Sequence, residues 1–368
     1  MTITRRQLCA LPLPLFLSSK AIGQAPQPLS DPATVAAAER EGRVLIYSVT
    51  AAENWKYVVK SFRERHPKIV VETLDLPSGP ECFERYFAES ATNSSTCDLI
   101  FTQGRDQWFE FQRRGELLAY DSTQSQSWPL WSKPYPGMYT PAVVPVLLAW
   151  NNMLVPAAQR PKKMEDFVRI ATANASSWRS RVGSFTPLQG IFGYSVNYAF
   201  AARHGEKAWE WFGSLGKLAP RFERSSGPMV EKLAAGEYVA TWFVASSVLW
   251  SRLNDPARAK LIGWSFIEDG QPVVLTGVGI PKRARNVNAA KVFLDFLLSV
   301  DGQRALGKGG ITPARPDVVA DKDVPFTYKS ISDAVGGDKN IILVEWAKSN
   351  DWNYETFSSR WKSTFSIK

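Results

Sequence analysis

Reactive side chains are scarce in this chain, and the scarcity limits the chemistry it can do. Among 368 residues only two are histidines. His66 and His204 each sit beside a Pro or a Gly at a helix end, a position that suits surface punctuation better than proton transfer. The carboxylates Glu53, Asp75 and Asp98 could pair as acid and base, but no spacing forces them together. The sequence holds no Gly-x-Ser-x-Gly elbow, His-Glu-x-x-His helix, P-loop or dinucleotide glycine fingerprint. Gly307-Lys-Gly-Gly310 follows a helix pattern instead of opening one, so it reads as a C-cap. An enzyme is therefore disfavoured, and no cofactor or bound metal is expected.

What remains is a set of hydroxyls, amides and aromatics at the ends of elements. Ser48, Thr50, Ser78, Thr102 and Gln103 stand at or just beyond strand ends. The strands run over 43–50, 69–74 and 98–101, and helices over 51–66, 81–91 and 106–113 alternate with them. This alternation predicts βαβ units and a parallel sheet, with ligands beyond the carboxyl ends of its strands.

The rhythm breaks at 138–152. There the apolar run 143–150 is interrupted only by Pro145, and Asn151-Asn152 ends it. Prolines cannot donate to a ladder, so this buried strand must lie at an edge or pass between sheets. A second α/β unit follows, with helices over 161–174, 191–202, 206–215 and 229–235. A strand over 238–244 then leads into a helix over 246–253. A second Pro-bounded apolar run, 272–281, returns the chain before the helices 288–298 and 301–306. Two crossings predict two lobes able to hinge: a first lobe of 26–140 plus 274–318, and a second of 141–273 plus 319–368.

Between such lobes, Tyr139 and Thr276 on the crossings could reach a ligand. Trp242 and Phe243 alternate on one strand, which puts one in the core and lets the other face the cleft. Gln189-Gly190 and Ser225-Ser226 open helices, where exposed N–H groups suit an anionic group. The plainer alternative is N-capping by Ser225 and Ser226, with Gln189 facing solvent.

The N-terminus carries Thr4-Arg5-Arg6-Gln7-Leu8, an apolar stretch to Ser18, and small residues at Gly23-Gln24-Ala25. This pattern reads as an export signal cleaved near Ala25, by the twin-arginine or the general secretory route. Export leaves Cys82 and Cys97. A helix longer than about 15 Å separates them, beyond the ~7 Å that a disulfide spans, so two buried thiols are expected. The net charge of +9 is scattered, which favours solvated surface over a nucleic-acid or membrane face.

With an export signal, two lobes and two crossings, the chain resembles the periplasmic solute-binding proteins of bacterial ABC importers. The branch it is most similar to holds ferric-ion, thiamine and phosphonate binders. The resemblance covers about residues 40–320. It rests on Arg43–Ser48, Trp178-Arg-Ser-Arg-Val-Gly183, Gly236-Glu-Tyr-Val-Ala240, and the helix pair ending Gly302-Gln-Arg-Ala-Leu306. It implies a type II two-lobed α/β fold, each lobe a mixed sheet flanked by helices. It also implies a periplasmic monomer that closes on a small anionic or zwitterionic solute and docks on a membrane permease. Where ferric binders carry adjacent tyrosines this chain has Ser246 and Ser247, poor ligands for a hard trivalent cation. Two alternatives remain open: an iron binder using other oxygens, and an exported enzyme or sensor on the same fold.

Overall fold

The computed structural model describes residues 29–92, 94, 96–344 and 353–367. The export signal lies outside the described residues. Among the described residues, no helix is long and apolar enough to cross a membrane.

β1 (Arg43–Ser48), β2 (Val70–Asp75) and β3 (Leu99–Thr102) form a parallel set in the order β2-β1-β3. Helices Ala52–Arg65 and Gly79–Ala91 connect them. Strand parity puts these helices on opposite faces of the sheet. The Ser48 hydroxyl faces Trp55 of the first helix, accepting from its Nε1 at 3.4 Å. Its neighbour Tyr47 points the other way and donates to Glu89 of the second helix at 2.7 Å.

β4 (Met138–Asn151) is buried along all fourteen residues. Its first half pairs antiparallel with β9 (Gln271–Gly279) from Met138 to Pro145. Its second half pairs with β7 (Ala240–Ala245) and β8 (Ile262–Ser265). The strand therefore crosses between sheets instead of lying at an edge, and the prolines mark the crossing. Pro141 falls in the register shift between Tyr139 and Ala142, and Pro145 is the last partner of β9 before the strand passes to β7. β5 (Val182–Phe185) runs parallel to both β6 (Arg221–Glu223) and β7, completing the second lobe's mixed sheet. β10 (Thr312–Pro313) joins β4, and β11 (Ile341–Val344) joins β9.

Two apolar cores result, and they meet on β4, where Val143 packs in the first and Val144 in the second. The tail does not follow the expected assignment of 319–368 to one lobe. Tyr328, Ile331 and Val335 pack in the first core, while Phe357 and Trp361 pack in the second.

Gln271 ties the two crossing strands together. Fully buried, its Nε2 donates to the Val146 carbonyl at 2.7 Å and to the Pro272 carbonyl at 2.8 Å, while its Oε1 accepts from the Ile267 N–H at 2.9 Å. Cys82 and Cys97 are buried and unpaired, and burial pushes the Cys82 thiol up to about 12. Asp98 is also structural. Its carboxylate accepts from the N–H groups of Leu45 and Asn286, both at 2.9 Å, which joins β1 to the segment ahead of helix Val287–Leu298.

Candidate functional site

A cavity of about 460 Å³ opens between the lobes. The first lobe supplies Ser78, Gly79, Thr102, Gln103 and Arg105; the second supplies Gly190, Ile191, Phe192, Ser195 and Arg224. Val274 and Leu275 of β9 also line it. The first-lobe wall is tight because helix Gly79–Ala91 begins directly against the end of β3. A Cβ on Gly79 would lie 2.2 Å from the Gln103 carbonyl oxygen, so only glycine lets these segments meet. Gly104 and Gly190, with φ of +143° and +115°, turn the chain into helices Arg105–Arg113 and Ile191–His204. Such backbone angles suit glycine and few other residues.

Three helices thus begin at this cavity; Ser78, the N-cap of the first, closes no side-chain capping hydrogen bond, and the other two N-caps, Gly104 and Gly190, have no side chain to cap with. The Ser78 hydroxyl donates instead to Glu81 at 2.9 Å. Gln103 reaches back to β9, its Nε2 donating to Thr276 Oγ1 at 3.4 Å. Arg105 is 9% exposed and pairs with Asp106 at 2.9 Å. Arg224 donates through Nε to Gln189 Oε1 at 2.6 Å. A smaller cavity of about 330 Å³ shares Arg105, Gly190 and Ile191 and adds Asp106, Tyr194 and Tyr354. Burial raises the Tyr194 hydroxyl to about 12, keeping it a neutral donor.

Of the residues singled out from sequence, Ser78, Thr102, Gln103 and Gly190 come together here, with Thr276 behind Gln103. Gln189 is exposed at the rim beside Arg224. Ser247 lines a second inter-lobe groove of about 640 Å³ together with Trp250 and Trp264. Ser246 is buried, with no hydrogen-bond partner for its hydroxyl among the described residues.

Other expected positions are internal braces instead. Ser48 Oγ accepts the Thr50 N–H at 2.9 Å, which turns the end of β1 inward. Ser226 Oγ accepts the Ala245 N–H at 2.9 Å, and Ser225 is exposed without capping its helix. Tyr139 lies in the first core, accepting from the Ser122 N–H at 2.8 Å and donating to the Tyr120 carbonyl at 3.2 Å. Trp242 and Phe243 are both fully buried in the second core, so neither faces the cleft. The strand alternation that would have separated them fails at the β4–β7 register shift, and Phe243 adopts a φ of +63°.

Arg105 and Arg224 were not anticipated. The signal was present for both: Arg105 follows the glycine that starts its helix, and Arg224 directly precedes Ser225-Ser226.

The chain matches the model of the bacterial extracellular solute-binding protein family over residues 58–329. It belongs to that family. Among solved structures, this family member is similar to a substrate-binding protein of an ABC transporter from Agrobacterium tumefaciens, with a TM-score of 0.72 and 16% identity over 88% of this chain and 94% of that one. It is also similar to the Actinobacillus pleuropneumoniae periplasmic binding protein AfuA with fructose-6-phosphate bound, with a TM-score of 0.65 and 18% identity over 89% of this chain and 100% of that one. These likenesses show a shared two-lobed periplasmic-binding-protein fold. Iron uptake protein A2 of Synechocystis is 28% identical over 145 residues, 36% of this chain and 41% of that protein. The match therefore spans less than half of that relative.

Proposed function

We propose that the protein is the solute-binding component of an ABC import system, exported to the periplasm and acting as a monomer without catalytic turnover. It holds a small anionic or zwitterionic solute between its lobes and closes by bending at the two crossing strands. It then offers the closed form to a membrane permease. The observation that carries this reading is the cavity walled by both lobes and backed by β9, because closure there removes a solute from water among fixed dipoles.

Arg105, Arg224 and the three helix starts favour negative charge in the solute. The neutral Ser246 and Ser247 supply none of the charged oxygens that hold ferric ion. Mass spectrometry of small molecules released from the purified protein, followed by calorimetric rebinding, tests the reading. A released solute that rebinds stoichiometrically is expected. A protein that carries and rebinds nothing, or that turns its ligand over, would overturn the proposal. A visible charge-transfer band after ferric loading would favour the iron-binding alternative instead.

A further inference from the structure

We propose that the far pole of the second lobe rests on an anionic phospholipid surface, through basic side chains gathered around an apolar tip. The inference is independent of the solute and of its cavity.

Positive charge is scattered along the sequence, but the fold collects part of it. Trp150 pairs with Ala240, Ala240 with Val182, and Gly183 with Arg221, so β5, β6 and β7 all begin at the end where β4 finishes. The strand starts and loops at that end carry Arg179, Arg181, Lys217, Arg221 and Lys260. All are exposed except the half-buried Arg181. Hydrogen bonds tie them into one surface. Arg179 Nη1 donates to the Lys217 carbonyl at 2.9 Å, Arg181 Nη2 to the Gly236 carbonyl at 2.7 Å, and Arg221 Nε to the Ser180 carbonyl at 3.1 Å. These acceptors are neutral backbone groups, and none of the five cations forms an ion pair with a described residue. Nearby carboxylates are engaged with other cations: Glu223 holds Lys232, and Glu231 holds Arg252 and Arg258. Exposed Glu237 opposes the five. Helices Glu206–Gly216 and Ser226–Ala234 end here with about half a negative charge each, which leaves the pole positive.

The apolar tip follows β4. Met153 and Leu154 are 77% and 40% exposed, and Pro156, Ala157 and Ala158 extend the exposed stretch. Leu154 lies against Gly236, whose carbonyl Arg181 holds. The tip is braced: Asn151 Oδ1 accepts the Met153 N–H at 2.8 Å, Asn151 Nδ2 donates to the Leu233 carbonyl at 2.7 Å, and Val155 is fully buried. Apolar side chains held outward among cations fit a lipid interface, where the former enter the acyl boundary and the latter meet phosphates. A protein partner would instead need roughly 800 Å² of matched surface on each side, whereas a bilayer has no fixed shape to match.

Co-sedimentation of the purified protein with lipid vesicles tests the proposal. Vesicles of about one-third phosphatidylglycerol in phosphatidylcholine should bind it at low salt, pure phosphatidylcholine should bind it roughly tenfold less or worse, and high salt should release it. One basic side chain near such a surface is worth roughly a fivefold change in binding. Lys217→Gln with Lys260→Gln should therefore lose about 25-fold, and Met153→Ser should weaken binding several-fold. Lys56→Gln with Lys322→Gln removes the same charge at exposed sites of the first lobe and should change binding by less than about twofold. The proposal is overturned if phosphatidylglycerol confers no binding, if the pole variant binds unchanged, or if the first-lobe variant loses as much as the pole variant. Binding to native inner-membrane vesicles that is abolished by protease treatment of those vesicles, with none to pure lipid, would assign the pole to a protein partner and overturn it as well. None of these outcomes bears on solute binding.

Discussion

Replacing Phe326 by Ala should loosen the contact between the lobes. The Phe326 ring stacks on Trp250 with centroids 4.0 Å apart and planes 16° from parallel, and it meets Trp264 edge-on at 5.5 Å. Trp250 lies on helix Ser246–Leu253, next to Leu249 of the second core. Phe326 is anchored to the other lobe. Its segment is held by Arg304–Asp321 at 2.5 Å and Lys308–Asp323 at 3.3 Å, and Tyr328 packs in the first core. The stack therefore bridges the lobes beside the second groove. An aromatic pair of this kind contributes about 0.5–1.5 kcal/mol beyond its buried area. Its loss should shift a closed–open balance toward open by roughly 2- to 13-fold and weaken solute binding by the same factor. Small-angle scattering of the solute-free variant should give a larger radius of gyration than wild type, and titration should show the weaker affinity. Val319→Ala, at a site 73% exposed, serves as the control. A Phe326→Ala protein matching wild type in both size and affinity would refute the bridging role of the stack.

Three further predictions concern the frame around the cavity. Tyr139→Phe leaves the Ser122 N–H without its acceptor and should cost about 1–2 kcal/mol of stability in chemical denaturation, with solute affinity unchanged; weakened affinity would return Tyr139 to the cleft. Gln271→Leu removes three hydrogen bonds at the crossing and should cost at least about 1–3 kcal/mol, so a loss within measurement error would contradict the tie between the strands. Asp295 is fully buried and accepts from Ser122, Ser30 and Tyr120 hydroxyls at 2.6, 2.6 and 2.9 Å. Burial nonetheless holds its pKa above the usual value. A raised carboxylate pKa gives stability that is present below the unfolded value of about 3.9 and is lost as pH rises through the folded value. Wild type should therefore lose stability relative to Asp295→Asn as pH climbs from below that point, and parallel pH profiles for the two proteins would contradict the assignment.

Much of the frame was legible because it is written in short-range patterns. The β1 and β3 strands and their following helices show as apolar runs and helical spacing, and the crossing strands show as Pro-bounded apolar stretches. What escaped depends on partners far along the chain. Tyr139 looked ligand-facing because Ser122, which donates its N–H to the phenol, lies seventeen residues away. Trp242 and Phe243 defied alternation because a register shift against β4 breaks the strand's period. Ser48 and Ser226 were correctly placed at element ends, but their hydroxyls are used up by local backbone N–H groups. The arginines were passed over because a single Arg at a helix start looks like ordinary surface until the opposite lobe is brought against it. The tail divided between the cores because its packing partners, β9 and the helices of both lobes, are set only by the tertiary fold.

A solute should draw the two lobes together around the cavity. Small-angle scattering of the purified protein, with and without saturating solute recovered from it, tests this most directly. A smaller radius of gyration with solute present is the predicted result. An unchanged scattering profile, with calorimetry showing the solute bound in the same sample, would contradict it.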